Sequence, residues 1–184
     1  DPTFGNENLR TQKDTTIDLS FRQSLLSKKS LLGSTPYWKR SEEVVEFDST
    51  RGGYFNLGRQ SFMGLDVQAS LLLTSETQLT SQLSFLSRDL LRRPRQRWVQ
   101  SLTQYWLRRK LTTRLDMQWV APRNDFGGFR LASYSLFDLS ARYEISRAFK
   151  IRASLMNLAN RDYELARGYG VYGRTLYTGF EVLL

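Results

Sequence analysis

Arginine has the most chemistry to offer in this chain. Of 27 basic residues, 21 are arginine and 6 are lysine, and the formal net charge is +9. Arg92, Arg93 and Arg95 fall within four positions of one another, and Arg51 and Arg130 lie in other glycine-rich or polar stretches. A guanidinium fork grips carboxylate or phosphate through two parallel hydrogen bonds. Tyr54, Tyr169 and Tyr172 lie in similar stretches and add ring faces and hydroxyls. Together they form a candidate set for binding a small anionic ligand. A basic balance also suits nucleic acid or an anionic lipid surface, and solvated loop charge accounts for any one of these residues equally well. Bond-making chemistry fares worse. The sequence has no histidine and no cysteine, which excludes a Ser-His-Asp triad, an HExxH zinc site and a Cys-His pair. Glu42, Glu43 and Glu46 cluster, but a solvated strand face explains them. Asn124-Asp125 lacks the further ligands of a calcium loop. No enzyme activity, metal or cofactor is expected.

The elements that must carry these residues show a double alternation. Nine stretches alternate apolar with polar residues, the mark of strands with one apolar face. The connections between them run short, long, short, long. Among the clearest stretches, Phe137, Leu139, Ala141, Tyr143 and Ile145 point one way, and Asp138, Ser140, Arg142 and Glu144 the other. Another has Met63, Leu65, Val67, Ala69, Leu71 and Leu73 outward and Gly64, Asp66, Gln68 and Ser70 inward. The first strand is expected over residues 15–23 and the second over 31–47, broken by Pro36, which cannot donate to a ladder. Leu79, Leu83, Leu86 and Leu90 have helical spacing, and Ser75 to Gln78 resembles a capping box. Two flanking strands and the parity of the loops override that signal and place a strand over 78–87. Tight turns are expected at Ser27-Lys28-Lys29, Ser75-Glu76, Arg108-Arg109-Lys110 and Ser146-Arg147. Longer loops are expected over 48–57, 88–97, 122–132 and 157–173, and the last strand runs outward through Leu176, Thr178, Phe180, Val182 and Leu184.

No run approaches the roughly 18 apolar residues of a membrane helix. A transmembrane barrel passes that test unseen, because every second residue is polar. Each stretch holds about nine to twelve residues, the length a tilted strand needs to cross a bilayer, where globular strands average nearer 5–6. Trp106, Trp119, Tyr134 and Tyr177 sit near strand ends, where an interfacial aromatic girdle would lie. The expected fold is all-β: a segment of antiparallel up-and-down transmembrane β-barrel of about nine strands, with short periplasmic turns and long extracellular loops. On that orientation the candidate arginines and tyrosines face outside. Inward Asp66, Arg114, Asp116, Asp138, Arg142, Glu144 and Arg152 are expected to form a charge ladder.

The last third carries a recognisable order of motifs. Leu155-Met156-Asn157-Leu158-Ala159-Asn160-Arg161-Asp162-Tyr163-Glu164 is followed by Gly168-Tyr169, Gly173-Arg174-Thr175 and Tyr177-Thr178-Gly179-Phe180. This resembles the closing signature of TonB-dependent outer-membrane receptors, N-L-x-N-x-x-Y-E, a glycine-rich loop and G-R before a last strand. Phe62-Met63-Gly64-Leu65-Asp66 and Leu91-Arg92-Arg93-Pro94-Arg95 resemble further strand openings of that family, and Asn8-Leu9-Arg10 a segment ahead of its strands, with Thr11-Gln12 in place of Pro-Glu. The layout is most similar to the cobalamin-receptor and siderophore-receptor branch. Asn157, Asn160, Tyr163, Gly168, Gly173 and Arg174, with Gly64, Asp66 and Pro94, are the family-matched positions and are read as structural: asparagine and glycine turn the chain or accept positive φ.

The resemblance implies a bacterial outer-membrane location and energised uptake of a scarce ligand, such as a ferric siderophore or cobalamin. The implied partners are outer-membrane lipid, lipopolysaccharide, the TonB complex acting through a plug domain, and a small-molecule or metal-chelate ligand, with no nucleic acid. Such receptors have about 22 strands and a plugged lumen. Residues 1–184, opening Asp1-Pro2-Thr3, are therefore expected to be the C-terminal part of a receptor barrel, with the plug and the N-terminal strands absent. The ending Val182-Leu183-Leu184 departs from the terminal Phe or Trp usual in outer-membrane barrels. A small porin-like or adhesin-like barrel and a soluble lipocalin-like binding barrel remain the alternatives.

Overall fold

The alternating stretches fold as antiparallel strands in the computed structural model, which describes residues 6–25, 29–48 and 51–183. In chain order they are β1 (Lys13–Asp18), β2 (Phe21–Leu25), β3 (Ser30–Glu42), β4 (Val45–Asp48), β5 (Gly53–Asn56), β6 (Gln60–Leu72), β7 (Thr77–Leu86), β8 (Gln96–Trp106), β9 (Leu111–Val120), β10 (Arg123–Asn124), β11 (Arg130–Leu131), β12 (Tyr134–Glu144), β13 (Phe149–Met156), β14 (Glu164–Ala166), β15 (Tyr169–Gly170) and β16 (Thr175–Val182). Among the described residues ten of these form one sheet in the order β1-β3-β6-β7-β8-β9-β12-β13-β16, with β2 also beside β3. Because β1 and β2 pair with successive stretches of β3, the sheet is nine strands wide. Each strand lies beside its neighbours in sequence, which is up-and-down topology.

At one end the connections 26–29, 73–76, 107–110 and 145–148 hold four residues each. Of the first turn, Ser27 and Lys28 lie outside the described residues, as do Asp1-Pro2-Thr3 and Leu184. At the other end the connections hold 17, 9, 13 and 18 residues. Three of these long loops fold back as small hairpins, β4–β5, β10–β11 and β14–β15. The first corrects the expected second strand: β3 ends at Glu42, the chain turns at Glu43 with φ 53°, and residues 45–48 belong to the loop hairpin.

Pro36 does not break its own strand. β3 runs through it, and the interruption falls opposite, at Leu19 and Ser20 between β1 and β2. Leu19 donates its N–H to the Pro36 carbonyl at 3.1 Å, but proline has no N–H to return. The ladder loses one rung, on the outermost strand, where such a loss costs least. The helically spaced leucines are in strand β7 because partners exist on both sides. Leu79 pairs with Leu71 and Leu102, and Leu83 with Val67 and Trp98.

Register sorts the side chains into two faces. Leu71, Leu79, Leu102, Leu115, Leu139, Leu155 and Leu176 occupy one continuous cross-strand lane over seven strands. Trp98 and Trp119 pair on this face toward the long loops, and Trp106 lies at its other end beside Leu111. Eight residues separate Trp98 from Trp106 in sequence, about 26 Å along a strand, which matches the height of a barrel's apolar band. This face is not covered by protein: Leu139 and Ile151 are 41% exposed and Val182 51%. The buried apolar residues, Val44, Phe62, Leu90, Val120, Ala121, Leu131 and Tyr134, cluster instead where the long loops meet the sheet.

The opposite face is polar and paired with itself. Arg114 Nε donates to both Asp116 oxygens at 2.8 and 2.9 Å, and the Ser101 hydroxyl also donates to Asp116. Arg142 reaches Glu181 at 3.5 Å and Lys39 reaches Asp14 at 3.0 Å. The expected charge ladder is met in part, by Arg114–Asp116 and by Arg142 with Glu181, but opposite charges do not face each other throughout. Asp116 lies directly opposite Asp138, and Arg142 opposite Arg152. Like charges in register repel, and three of these residues find partners elsewhere: Asp116 in Arg114, Arg142 in Glu181, and Asp138 in the Asn157 amide at 2.7 Å.

Candidate functional site

The long-loop end of the sheet holds a cavity of about 700 Å³. Lys39 and Phe62, paired across β3 and β6 on the polar face, contribute to its wall. The loop hairpin adds Glu46 and Tyr54, and the β7–β8 loop adds Arg92 and Arg93. The structure thus brings Tyr54, Arg92 and Arg93 together and leaves the other candidates apart. Arg51 pairs with Asp48 at 3.5 Å and stacks over Phe55 at 5.2 Å. Arg95 donates to the carbonyls of Leu86 and Ser87 at 3.4 and 3.2 Å, fastening the end of β7, and Pro94 precedes it in the same loop. Arg130 is exposed on β11. Tyr169 is exposed on β15, and Tyr172 edges a smaller cavity of about 230 Å³ with Asp138, Asn157, Tyr163 and Gly173.

Two cations of the larger cavity are already neutralised. Lys39 is held by Asp14, and Arg92 by Asp125 through Nε at 2.6 Å. Arg93 and Glu46 are in no ion pair among the described residues. Among the described residues the unspent charges of this wall are therefore one cation and one anion. Around them lie Phe47, Tyr54, Phe62, Leu90 and Phe126. Such a wall suits a bulky ligand of low net charge better than a polyanion, because each unit of excess ligand charge would lack a counter-charge. Glu42 and Glu43 are also occupied, with Arg40 and Arg59 and with Arg10.

Asp125, set aside in the sequence as an incomplete calcium loop, organises the rim. Its side chain is 1% exposed. Oδ1 accepts from Arg92 Nε and from the Phe126 amide at 2.8 Å, and Oδ2 accepts from the Arg167 amide at 2.6 Å. One carboxylate thus ties together the β7–β8, β9–β12 and β13–β16 loops. The Arg167 amide, then the Arg92 guanidinium and the Phe126 amide, hold its pKa down at about 2 against the opposing effect of burial. The two arginines also cap aromatic rings, Arg92 over Phe126 at 4.5 Å and Arg167 over Phe129 at 3.0 Å. Gly127, at φ 72°, makes the turn between those two rings. Beneath them Arg123 is buried, donates to the carbonyls of Glu164 and Leu165 at 2.5 and 3.2 Å, and lies 5.4 Å over Tyr134. Tyr134 in turn meets Tyr163 at 4.4 Å, and burial raises the Tyr163 hydroxyl pKa. Sequence reasoning missed Asp125, Arg123 and Arg167 because their partners are distant in the chain. The readable signal was local: Asp before Phe-Gly-Gly suits a side chain that caps its own turn.

The family-matched residues cluster where the last loop leaves β13. Asn157 has φ 51°, and its side chain both donates to the Arg161 carbonyl at 2.9 Å and accepts from the Arg161 amide at 2.8 Å. Asn160, at φ 49°, accepts from the Arg174 amide at 2.8 Å. A Cβ on Gly173 would lie 2.6 Å from that asparagine oxygen. Gly168, at φ 78°, donates its N–H to Glu164 at 3.2 Å. On the sheet, Gly64 lies under the Tyr37 ring, which would collide with any added Cβ. Asp66 follows on the same face, beside Thr35 and Ser84.

Residues 1–158 match the family profile described as "TonB dependent receptor-like, beta-barrel". Among curated proteins, the vitamin B12 transporter BtuB of Vibrio cholerae serotype O1 is 27% identical, over 96% of this chain and 30% of its own length. Among solved structures, the copper transporter OprC superposes with a TM-score of 0.80 at 19% identity, over 96% of this chain and 32% of that one. The ferric enterobactin receptor PfeA of Pseudomonas aeruginosa gives a TM-score of 0.78 at 15% identity, over 97% of this chain and 32% of that one. The chain spans about a third of the length of these relatives.

Proposed function

Because this chain belongs to the TonB-dependent receptor-like β-barrel family, we propose that it forms wall and outer vestibule of an outer-membrane uptake receptor. In this reading residues 1–184 are the C-terminal part of the barrel, and the plug and first strands belong to the longer protein. A scarce ligand binds from outside at the long-loop end, and TonB, acting through the plug, drives its release inward. The chain contributes binding and a conduit; no bond is made or broken.

One observation carries the reading. An apolar face left uncovered by protein lies back to back with a polar face, and the long loops close over a cavity at one end. Leu102, Leu115, Leu139 and Leu176 of the lane are between 39% and 64% exposed, and in water each would forgo part of the roughly 1.5–3 kcal/mol that full burial contributes, so the lane calls for hydrocarbon. Tyr54, Arg92 and Arg93 are the proposed contacts in the larger cavity, with Tyr172 at the smaller. Arg51, Arg95, Arg130 and Tyr169 lie further out or are engaged locally. The charge balance of the wall favours a corrinoid such as cobalamin over a highly charged ferric chelate.

Uptake of radiolabelled cyanocobalamin and of a ferric catecholate by cells carrying the complete protein tests this. The expected result is accumulation of the corrinoid that disappears when TonB is deleted. Arg93→Ala should lower it several-fold. Diffusive, TonB-independent passage of both solutes would instead mark a porin-like barrel.

A further inference from the structure

The four-residue turns carry a pattern that uptake does not require. Lys29, Arg108, Arg109, Lys110 and Arg147 all stand in or beside these turns and all are exposed. Among the described residues none of the five is in an ion pair, and Glu76 is the one acidic residue of these turns. At the opposite end Arg10, Arg51, Arg59 and Arg92 each pair with a carboxylate, while Arg93 and Arg130 do not among the described residues, and acidic residues such as Glu43, Glu46, Asp48 and Asp125 are interspersed with the cations. Glu144 and Glu181 lie just inside the turn end on the polar face, where Lys150 and Arg142 face them.

The turns are joined into a rim. Leu72 donates its amide to Lys29 at 2.8 Å, Arg109 Nη2 donates to the Ser75 carbonyl at 3.1 Å, and Glu144 donates its amide to Lys110 at 2.8 Å. Apolar side chains stand beside the cations. Leu73, Trp106, Leu107, Ile145 and Leu183 are each between 50% and 63% exposed. The turn at 107–110 is also strained: Leu107, Arg108 and Arg109 have φ of 50°, 55° and 69°, and none is glycine. Non-glycine residues held in the left-handed region cost of order 1 kcal/mol or more each and persist where the surrounding structure fixes them. Here the strain presents Leu107 beside Trp106, with Arg108 and Lys110 at the tip.

We propose that this rim binds the anionic phosphate head groups of phospholipids in the adjacent leaflet. Leucine and tryptophan seat in the acyl boundary while the basic side chains extend into the head-group layer. The proposal rests on the outer-membrane placement argued above, which makes the leaflet the inner, phospholipid one. Unpaired cations above an apolar belt fit that occupant.

Native mass spectrometry of the complete protein in detergent tests it, with dioleoyl-phosphatidylglycerol, dioleoyl-phosphatidylcholine or lipid A added. The expected result is preferential retention of phosphatidylglycerol. It should fall at least tenfold in Arg108→Gln/Lys110→Gln/Arg147→Gln and return in Arg108→Lys/Arg147→Lys, since each cation near an anionic surface contributes on the order of a fivefold gain. Arg109 is left intact because it braces Ser75 and stacks on Tyr105. Heat-modifiable gel mobility confirms that each variant folds. Equal retention of phosphatidylcholine, unchanged retention in the triple variant, or stronger retention of lipid A would overturn the proposal. Loss of uptake with lipid retention intact would count against the receptor reading alone.

Discussion

At the scale of single residues, conformation and space explain positions that composition leaves mute. The Tyr37 ring occupies the space beside Gly64, so Gly64→Ala must push it away. The expected cost is about 1–3 kcal/mol, read as a lower thermal midpoint in detergent, and Tyr37→Ala/Gly64→Ala should recover most of it. Asn157 combines positive φ with two side-chain hydrogen bonds to Arg161. Asn157→Ala should cost about 1–3 kcal/mol and raise amide exchange over residues 157–163. Both residues stood out in the sequence as members of a motif. What they do there was not legible, because the partner of Gly64 comes from another strand and the φ of Asn157 leaves no sequence mark. In sequence Asp125 lacks the further ligands of a calcium loop, and its tie across three loops was not legible, since Arg92 and Arg167 lie 33 and 42 residues away.

Elements were legible to the extent that pairing governs them. Strands β6, β9 and β12 follow directly from alternation, and β7 emerged against helical spacing because neighbours on both sides offered register. Pro36 shows the limit: a missing donor was visible, but not that the interruption would fall on the facing strand. The strands of the loop hairpins are two to four residues long, too short to carry a period, and the alternating Val45-Glu46-Phe47 reads in sequence as a continuation of the preceding strand. Two predictions belong here. Asp125→Asn removes the charge that gathers three loops, so exchange should rise in all three while the sheet stays protected. In the parent protein the same loosening should appear with acid. Asp125 has a folded pKa of about 2, below its ordinary value of 3.8. Its contribution is therefore complete above about pH 4 and is lost as pH falls from there toward 2. Loop exchange corrected for intrinsic rates should stay flat from pH 7 to about 4 and climb below. A rise already complete by pH 5 would assign the linkage to another group.

For the whole molecule, fold class and sidedness were readable, while the vestibule was not. Two faces, four short turns and four long loops are all periodic features, and period is what a sequence preserves. The cavity depends on which loop side chains converge, and only Tyr54, Arg92 and Arg93 of the eight candidates line it. The central claim is that the leucine lane meets hydrocarbon. Leu139→Arg, at mid-lane, should then destabilise the protein by about 2–4 kcal/mol, while Ser140→Arg on the other face is tolerated. The most direct measurement uses the lack of cysteine in residues 1–184, with any cysteine elsewhere in the complete protein replaced by serine. Single cysteines placed along β12 from Phe137 to Tyr143 carry spin labels in the complete protein reconstituted in bilayers, and collision with oxygen and with a water-soluble nickel chelate is recorded. The account predicts strict alternation: labels at 137, 139, 141 and 143 relax with oxygen, and those at 138, 140 and 142 with nickel. Labels at 139 and 141 shielded from both reagents, as in a packed protein interior, would contradict it.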